Sequence, residues 1–405
     1  MKDSEKRHKS KCGNACVLLL YPYYTNRVRR LLFIIREIKH QYDIEPDVYL
    51  FFIPRYKRIY SFLKNMIFSM KKLIKILAYT KSRYRRIVII SFYPHMLPIA
   101  IISKLYIKKI FGKECQVTLI HDVGDIYPFI IEHLYGRLIA LLYSTIEYFL
   151  LKRFDYILTP NKAIERIYAK LVDRDNVLTL MNVPSLKQLN KIYARRNKFR
   201  DFFRKSLGIS PDSFVIIHSG SMVEDTATLL EALDDISSIN RSLMNKIYFV
   251  KIGWSSSPRI SRYAQLVNEK RKKGLRIILI KRVPYLKAMK LMTIADLSVV
   301  LLNRRDKNNY FASPNKLFDS LALGIPVLVS NFGFLAYLTR KYDWGYTVDP
   351  EDKNAIKNAI LYILKNIQEL RNKGNRGRQS IEEFFNVEIQ ARKVKKLLSS
   401  LISED

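Results

Sequence analysis

Short apolar runs alternate along the chain with longer stretches in which apolar residues recur every three to four positions. The short runs predict strands and the longer stretches predict helices. Their regular alternation predicts open parallel α/β sheets. In the first half, strands are predicted at Val17–Tyr21, Val48–Ile53, Ile87–Ser91, Val117–His121, Tyr156–Thr159 and Val177–Met181. In the second they are predicted at Phe214–Ser219, Ile247–Ile252, Arg276–Ile280, Leu297–Leu301, Val327–Val329 and Gly345–Val348. Between the two sets lies Ser185–Ser213, polar, basic and helix-prone, and we place the interdomain connection there. A last helix, within "RQSIEEFFNVEIQARKVKKLLSSLI", follows a glycine-rich polar stretch.

The 405 residues are enough for two such domains. The pattern divides them into a flexible basic tail over 1–13, a Rossmann-like domain over 14–200, a second over 201–380, and a helix over 381–405 expected to pack back toward the first domain. Cys12, Cys16 and Cys115 cannot pair fully and complete no zinc pattern, so a disulfide-stapled secreted protein is not expected. The closest candidate for a membrane span, Ile87–Ser103, contains Pro94, His95 and Pro98; strand, loop and helix start fit it better.

Charge changes this picture. The formal net charge is +35, which predicts an anionic partner. Most of the excess lies in the first half, and from Val48 to Gly112 there is no Asp or Glu. Between Tyr60 and Tyr79, Lys64, Lys71, Lys72 and Lys75 flank apolar residues at helical spacing. A basic amphipathic helix of this kind suits an anionic membrane surface. A core-packed helix with a solvated basic back and a nucleic-acid surface are the competing readings, the latter because Tyr and Phe interleave with Arg and Lys. Ordinary solvated faces mix signs, which favours the membrane.

The second half carries the candidate chemistry. In "SPNKLFDSLALGIPVLVS", a helix beginning near Asn315 presents free N–H groups and the positive end of its dipole to an anion, and Lys316 adds a cation. Asp319 follows one turn later, within reach of a sugar hydroxyl beside a phosphate. Simple capping by Ser313, with Lys316 and Asp319 exposed, is the alternative. Neither half has a G-x-G-x-x-G or G-x4-G-K-[ST] loop. Asp173-Arg174-Asp175, the literal Asp-x-Asp, falls between a helix and a strand and reads as surface.

In order, "VIIHSGS", "LLEAL", "YFVKIGWSS", "KRVPYLKAMKLMTIADLSVVLL", "SPNKLFDSLALGIPVLVS" and "GYTVD" resemble the C-terminal half of GT-B nucleotide-sugar glycosyltransferases, especially the large retaining group that includes capsule and lipid-linked sugar transferases. "LLLYPYYTNRVRRLLFIIREI", "VTLIHDVGDIYP", "DYILTPNKAIERIY" and "VLTLMNVP" extend the resemblance through the first half. A narrower resemblance is to the mannosyltransferase acting on dolichol-linked chitobiose. The resemblance implies two Rossmann-like domains facing across a cleft. It places the diphosphate at Ser313, Pro314, Asn315, Lys316 and Leu317, the ribose at Asp319, a tight phosphate-facing turn at Gly220 and Ser221, and the nucleobase near Arg282 and Val283. It puts His121 and Asp122 beside the transferred sugar, and Tyr24, Asn26 and Arg27 on the acceptor side.

Two departures stand out. Phe311 occupies the first acidic position of the family's Glu-x7-Glu, and Met222, Val223, Glu224 and Asp225 stand where an Arg and a Lys usually follow the glycine turn. Lys316, Arg282, Arg304 and Arg305 are the cations available to a leaving diphosphate. The expectation is a metal-independent hexosyltransferase with no cofactor beyond a UDP- or GDP-linked sugar. It acts on a polyprenol-linked or other glycolipid acceptor at the inner face of the cell membrane. A catalytically inactive polyanion-binding protein of the same fold, or a transferase acting on protein or nucleic acid, is the rival reading.

Overall fold

The computed structural model describes residues 15–21, 31–32, 34–36, 47–52, 85–112, 114–173, 175–220, 226–254 and 261–402. The chain divides into two compact units, Met1–Asn182 with Ile389–Asp405, and Val183–Glu388.

The first unit holds a six-stranded parallel sheet: β1 (Ala15–Tyr21), β2 (Asp47–Phe52), β3 (Arg86–Phe92), β4 (Gln116–Asp122), β5 (Tyr156–Thr159) and β6 (Val177–Thr179), in the order β2-β1-β3-β4-β5-β6. Every residue of β1, ACVLLLY, is buried. This is what a parallel strand covered on both faces requires, and why the strand is an unbroken apolar run. The stretch after β3 folds as expected, with a 3-10 turn at Pro94–Met96 and a helix over Leu97–Phe111.

The second unit holds β7 (Phe214–Ser219), β8 (Ile247–Trp254), β9 (Arg276–Lys281), β10 (Leu297–Val300), β11 (Val327–Ser330) and β12 (Gly345–Val348), all parallel, in the order β12-β11-β10-β7-β8-β9. This is the doubly wound Rossmann order, with its reversal between β7 and β10; ligands of such sheets bind outside the strand C-termini at the reversal. Its core joins strand residues Ile216, Phe249 and Val299 to Leu229, Leu233 and Ile236 of the helix Ala227–Ile239 and to Ile356, Ile360 and Ile363 of the helix Lys353–Lys365.

The segment 185–213 is built into the second unit rather than strung between units. It forms helices over Leu186–Tyr193 and Arg196–Ser206. Arg204, buried, donates through Nε and Nη2 to Ile294 O and through Nη1 to the carbonyls of Pro211 and Ser213, while Nη2 pairs with Asp296 at 2.7 Å. Arg200 takes the other oxygen of Asp296 at 2.5 Å. The glycine-rich stretch near the C-terminus is likewise helical, Ile367–Glu383. Gly374 is needed there for close approach, since a Cβ would stand 2.5 Å from Gly324 O. A break then precedes the final helix, Val387–Ile402.

In the first unit, the helix Arg137–Leu151 turns Glu147 inward, where Tyr168 Oη donates to it at 3.4 Å. Burial pushes its carboxyl up to about 8. The unfolded chain releases this proton near 4.5 while the native state keeps it, so stability from this group is full below 4.5 and declines as pH rises toward 8. Glu147→Gln removes the titration. Its stability relative to wild type should rise by roughly 3 kcal/mol from pH 5 to pH 8. Urea unfolding at both pH values checks this; parallel pH profiles would refute it.

Candidate active site

β7 ends in His218, Ser219 and Gly220, and β8 places Lys251 directly opposite His218 in register. The backbones at the two strand ends meet closely: Gly220 N donates to Ile252 O, and Gly220 and Gly253 both have positive φ. A Cβ on Gly253 would stand 3.0 Å from Gly220 O, so this approach needs glycine. Lys251 lies in the apolar strand IYFVKIGW and is fully buried. Its Nζ is 2.8 Å from His218 Nδ1 and donates to Gly220 O at 3.1 Å.

The helix Asn315–Ala322 begins across the reversal from these groups. Its N-cap is Pro314, which has no side chain able to cap, and its first turn holds no acid. Lys316 stands in that turn, with Nζ 2.9 Å from His218 Nε2. One imidazole therefore bridges two amines. Burial, then Lys316, then Lys251, hold His218 well below the ordinary imidazole value of 6.5, so the ring is neutral. A neutral imidazole has one acceptor nitrogen and one N–H, so it can accept from only one of the two lysines. The trio fixes the height of Lys316 over the helix start. A cation beside the positive end of a dipole is unfavourable unless an anion joins them.

Asp319, buried one turn further in, accepts from Tyr285 Oη at 2.7 Å through Oδ1. Tyr285 begins the helix Tyr285–Met292, directly after the loop that carries Arg282 and Val283; Arg282 is exposed and Val283 half-buried. Ser313, Pro314 and Asn315 are half-buried at the helix start. Leu317 does not line a ligand surface: its side chain is fully buried in the core and its N–H donates to Pro314 O. Arg304 is not a spare cation either, because Asp349 pairs with it at 2.8 Å and Asn331 accepts from it at 2.6 Å. A separate cavity of about 450 Å³, bounded by Arg196, Arg200, Asp296 and Gly324, lies by the start of β7 and β10, at the opposite edge of the sheet from Lys316.

In the first unit, His121 and Asp122 close β4, and both are 1% exposed. His121 Nδ1 is 2.8 Å from Ser91 Oγ on β3, and its ring meets Phe154 edge-on. This is a histidine bracing two strand ends, not an imidazole presented to solvent. The sheet reversal between β1 and β3 is marked instead by Tyr93, a non-glycine residue at φ 69°, whose ring stacks on His95 and meets Tyr127 edge-on. Such a conformation costs about 1–3 kcal/mol and clusters at functional sites. Tyr24, Asn26, Arg27, Lys64, Lys71, Lys72, Lys75 and Ser221 lie outside the described residues. Among the described residues, no group of three His, Cys, Asp or Glu is placed to hold a metal ion.

Sequence reasoning missed His218, Lys251 and Tyr285. Lys251 had a readable signal: a charge inside a run of strand residues buried on both faces must have a partner.

Two six-stranded parallel sheets of Rossmann type, the second with a phosphate-ready helix start at its reversal, define the GT-B class of glycosyltransferases. Residues 199–380 match the family glycosyl transferases group 1, so the second unit carries a glycosyltransferase domain of this family. Among solved structures, sucrose-phosphate synthase from Thermosynechococcus elongatus aligns with a TM-score of 0.69 at 17% identity, covering 96% of this chain and 99% of that one. Anabaena HepE in complex with UDP and glucose aligns at 0.67 and 14%, covering 95% and 99%. The UDP-forming α,α-trehalose-phosphate synthase from Burkholderia vietnamiensis aligns at 0.67 and 10%, covering 96% and 98%. At these identities the likeness is one of fold. No curated protein sequence matches the chain.

Proposed function

We propose that the protein transfers a hexose from a nucleoside-diphosphate sugar to a membrane-associated acceptor, a polyprenol-linked saccharide or another glycolipid. The observation that carries the donor half is Lys316, held by His218 and Lys251 over an uncapped helix start one turn from Asp319. The diphosphate lies across the first turn of Asn315–Ala322. There the backbone N–H groups and the Lys316 ammonium meet its oxygens, and Asp319 accepts from a ribose hydroxyl while Tyr285 holds the carboxylate in place. As the glycosidic bond breaks, negative charge grows on the leaving diphosphate, and a positioned cation stabilises that state more than the bound donor. These groups take the part of the family's missing Arg and Lys. HepE, of the same fold, has been captured with UDP-glucose, which supports a uridine or similar base.

The acceptor half is supported by the charge of +35 and by the strained Tyr93 at the reversal of the first sheet. No helix among the described residues is long and apolar enough to cross a membrane, so the reading is one of peripheral attachment at the inner membrane face.

A thermal-shift panel of UDP-, GDP-, ADP- and CMP-sugars tests the donor. A ligand at 100 times its Kd stabilises by roughly 2.7 kcal/mol, and no shift with any of them would remove the proposal. Asp319→Asn, which keeps the shape but weakens acceptance from the ribose, should raise the donor Kd by about tenfold, equivalent to about 1.4 kcal/mol, with an unchanged melting temperature. Equal affinity in calorimetry would free Asp319 of that role.

A further inference from the structure

The helix Arg137–Leu151 is inside out. Its inward face carries Ala140, Glu147 and Leu151, all buried. Its outward face carries Leu138, Leu141, Leu142, Ile146 and Phe149, which recur at the spacing of one helical stripe. Leu138 is 82% exposed, and Leu141, Leu142 and Phe149 are each 62% or more. A helix in water places its leucines inward and its carboxylate outward, so this face is not built for water. The face is also wide. The preceding helix, Tyr127–Tyr135, packs on this one, has no fully buried residue, and exposes Leu134 and Tyr135. The helix Leu97–Phe111 also touches Arg137–Leu151 and exposes Ile102 and Leu105. Scattered exposed leucines are ordinary, but an exposed apolar stripe on one helix, joined by exposed apolar residues on the two helices that touch it, marks an interaction site.

The charges around it choose the partner. Arg137 opens the helix, Lys152 and Arg153 close it, and Lys108 and Lys109 stand exposed at the end of the neighbouring one. Helix Leu97–Phe111 contains no acid, Arg137–Leu151 has only the buried Glu147, and Tyr127–Tyr135 has only the half-buried Glu132. An apolar stripe rimmed by cations matches acyl chains beneath anionic headgroups. We infer that the outward face of Arg137–Leu151, with its two neighbouring helices, docks on an anionic lipid bilayer. The inference rests on the membrane-acceptor reading above and names the surface that brings the enzyme to its acceptor. This surface is carried by other residues than the basic stretch 60–79.

Flotation of the full chain with vesicles of phosphatidylglycerol and phosphatidylcholine tests it, using the triple variant Leu138→Gln, Leu142→Gln, Phe149→Gln. All three side chains are exposed, so the variant should keep the wild-type melting temperature and donor affinity. The vesicle-bound fraction should fall at least tenfold, and wild type should bind pure phosphatidylcholine weakly. If the variant floats like wild type, this face is not the docking surface, and the membrane-acceptor reading survives through another one. If wild type binds no vesicle, both fail together. If the variant melts lower without lipid, or turns a wild-type dimer into a monomer in light scattering, this chain or a second copy covers the face, and the inference is overturned.

Discussion

Lys316→Ala should lower kcat by about 10²- to 10³-fold, the loss seen when one positioned donor is removed from a developing negative charge. Donor affinity should change far less, because the ammonium matters most once the glycosidic bond has broken. The substrate for this measurement is whichever nucleotide sugar gives the largest thermal shift, with turnover and calorimetric affinity recorded side by side. His218 makes the expectation sharper. The ring is neutral, and in the tautomer whose Nε2 accepts from Lys316 it holds that amine at a fixed height, while the fully buried Lys251 donates to Gly220 O. A variant with full turnover would reduce Lys316 to an ordinary helix residue. A loss of affinity with kcat unchanged would assign it to ground-state binding.

The second large effect is on stability. Arg204→Ala should destabilise the protein by about 3–5 kcal/mol, the usual result of removing one partner from a buried ion pair. The carbonyls of Pro211 and Ser213 lose the Arg204 donor, Ile294 O is left with Arg200 Nη1 at 3.2 Å, and Asp296 is left with Arg200 and the Val215 N–H. Arg204→Lys should rescue little, since an ammonium cannot reproduce the planar fork that reaches three directions. Urea unfolding measures both variants. A loss below about 1 kcal/mol would place the anchoring elsewhere.

The fold was legible because parallel strands buried on both faces are unbroken apolar runs. All twelve expected strands are present, with ends moved by a residue or two. The connection was not legible. Ser185–Ser213 looks like a basic linker, and only the folded chain shows that Arg200 and Arg204 reach about ninety residues ahead to Asp296. The glycine-rich stretch misled for a related reason. Glycine in a sequence suggests a turn, whereas Gly374 and Gly377 lie within a helix and let another element come close. At the site, Lys316 and Asp319 were readable because a helix start and a carboxylate one turn later are local features. His218, Lys251 and Tyr285 reach them from strand and helix ends far away in sequence, which no local pattern records. The surroundings of His121 were likewise not legible: a histidine at a strand end suggests chemistry, and only the folded chain sets Ser91 and Phe154 against its ring.

The close seat of the helix Ile367–Glu383 bears on how this enzyme can diverge. Gly374 rests on the turn at Gly324, Gly377 rests on Leu321, and Arg378 Nη1 donates to Ala322 O at 2.6 Å. Three fastenings thus hold the C-terminal end of the short helix whose other end carries Lys316. That helix behaves like a beam clamped at one end, and any displacement at the clamp is carried to the carboxylate of Asp319. A side chain at Gly374 or Gly377 would therefore displace Asp319 from a distance. At the strand ends, by contrast, Arg282 and Arg305 are exposed, and Asn303 accepts from the backbone N–H groups of Arg305 and Asp306. On the proposed donor reading, a change of nucleotide preference would fall on those exposed strand-end residues, while the beam stays the same.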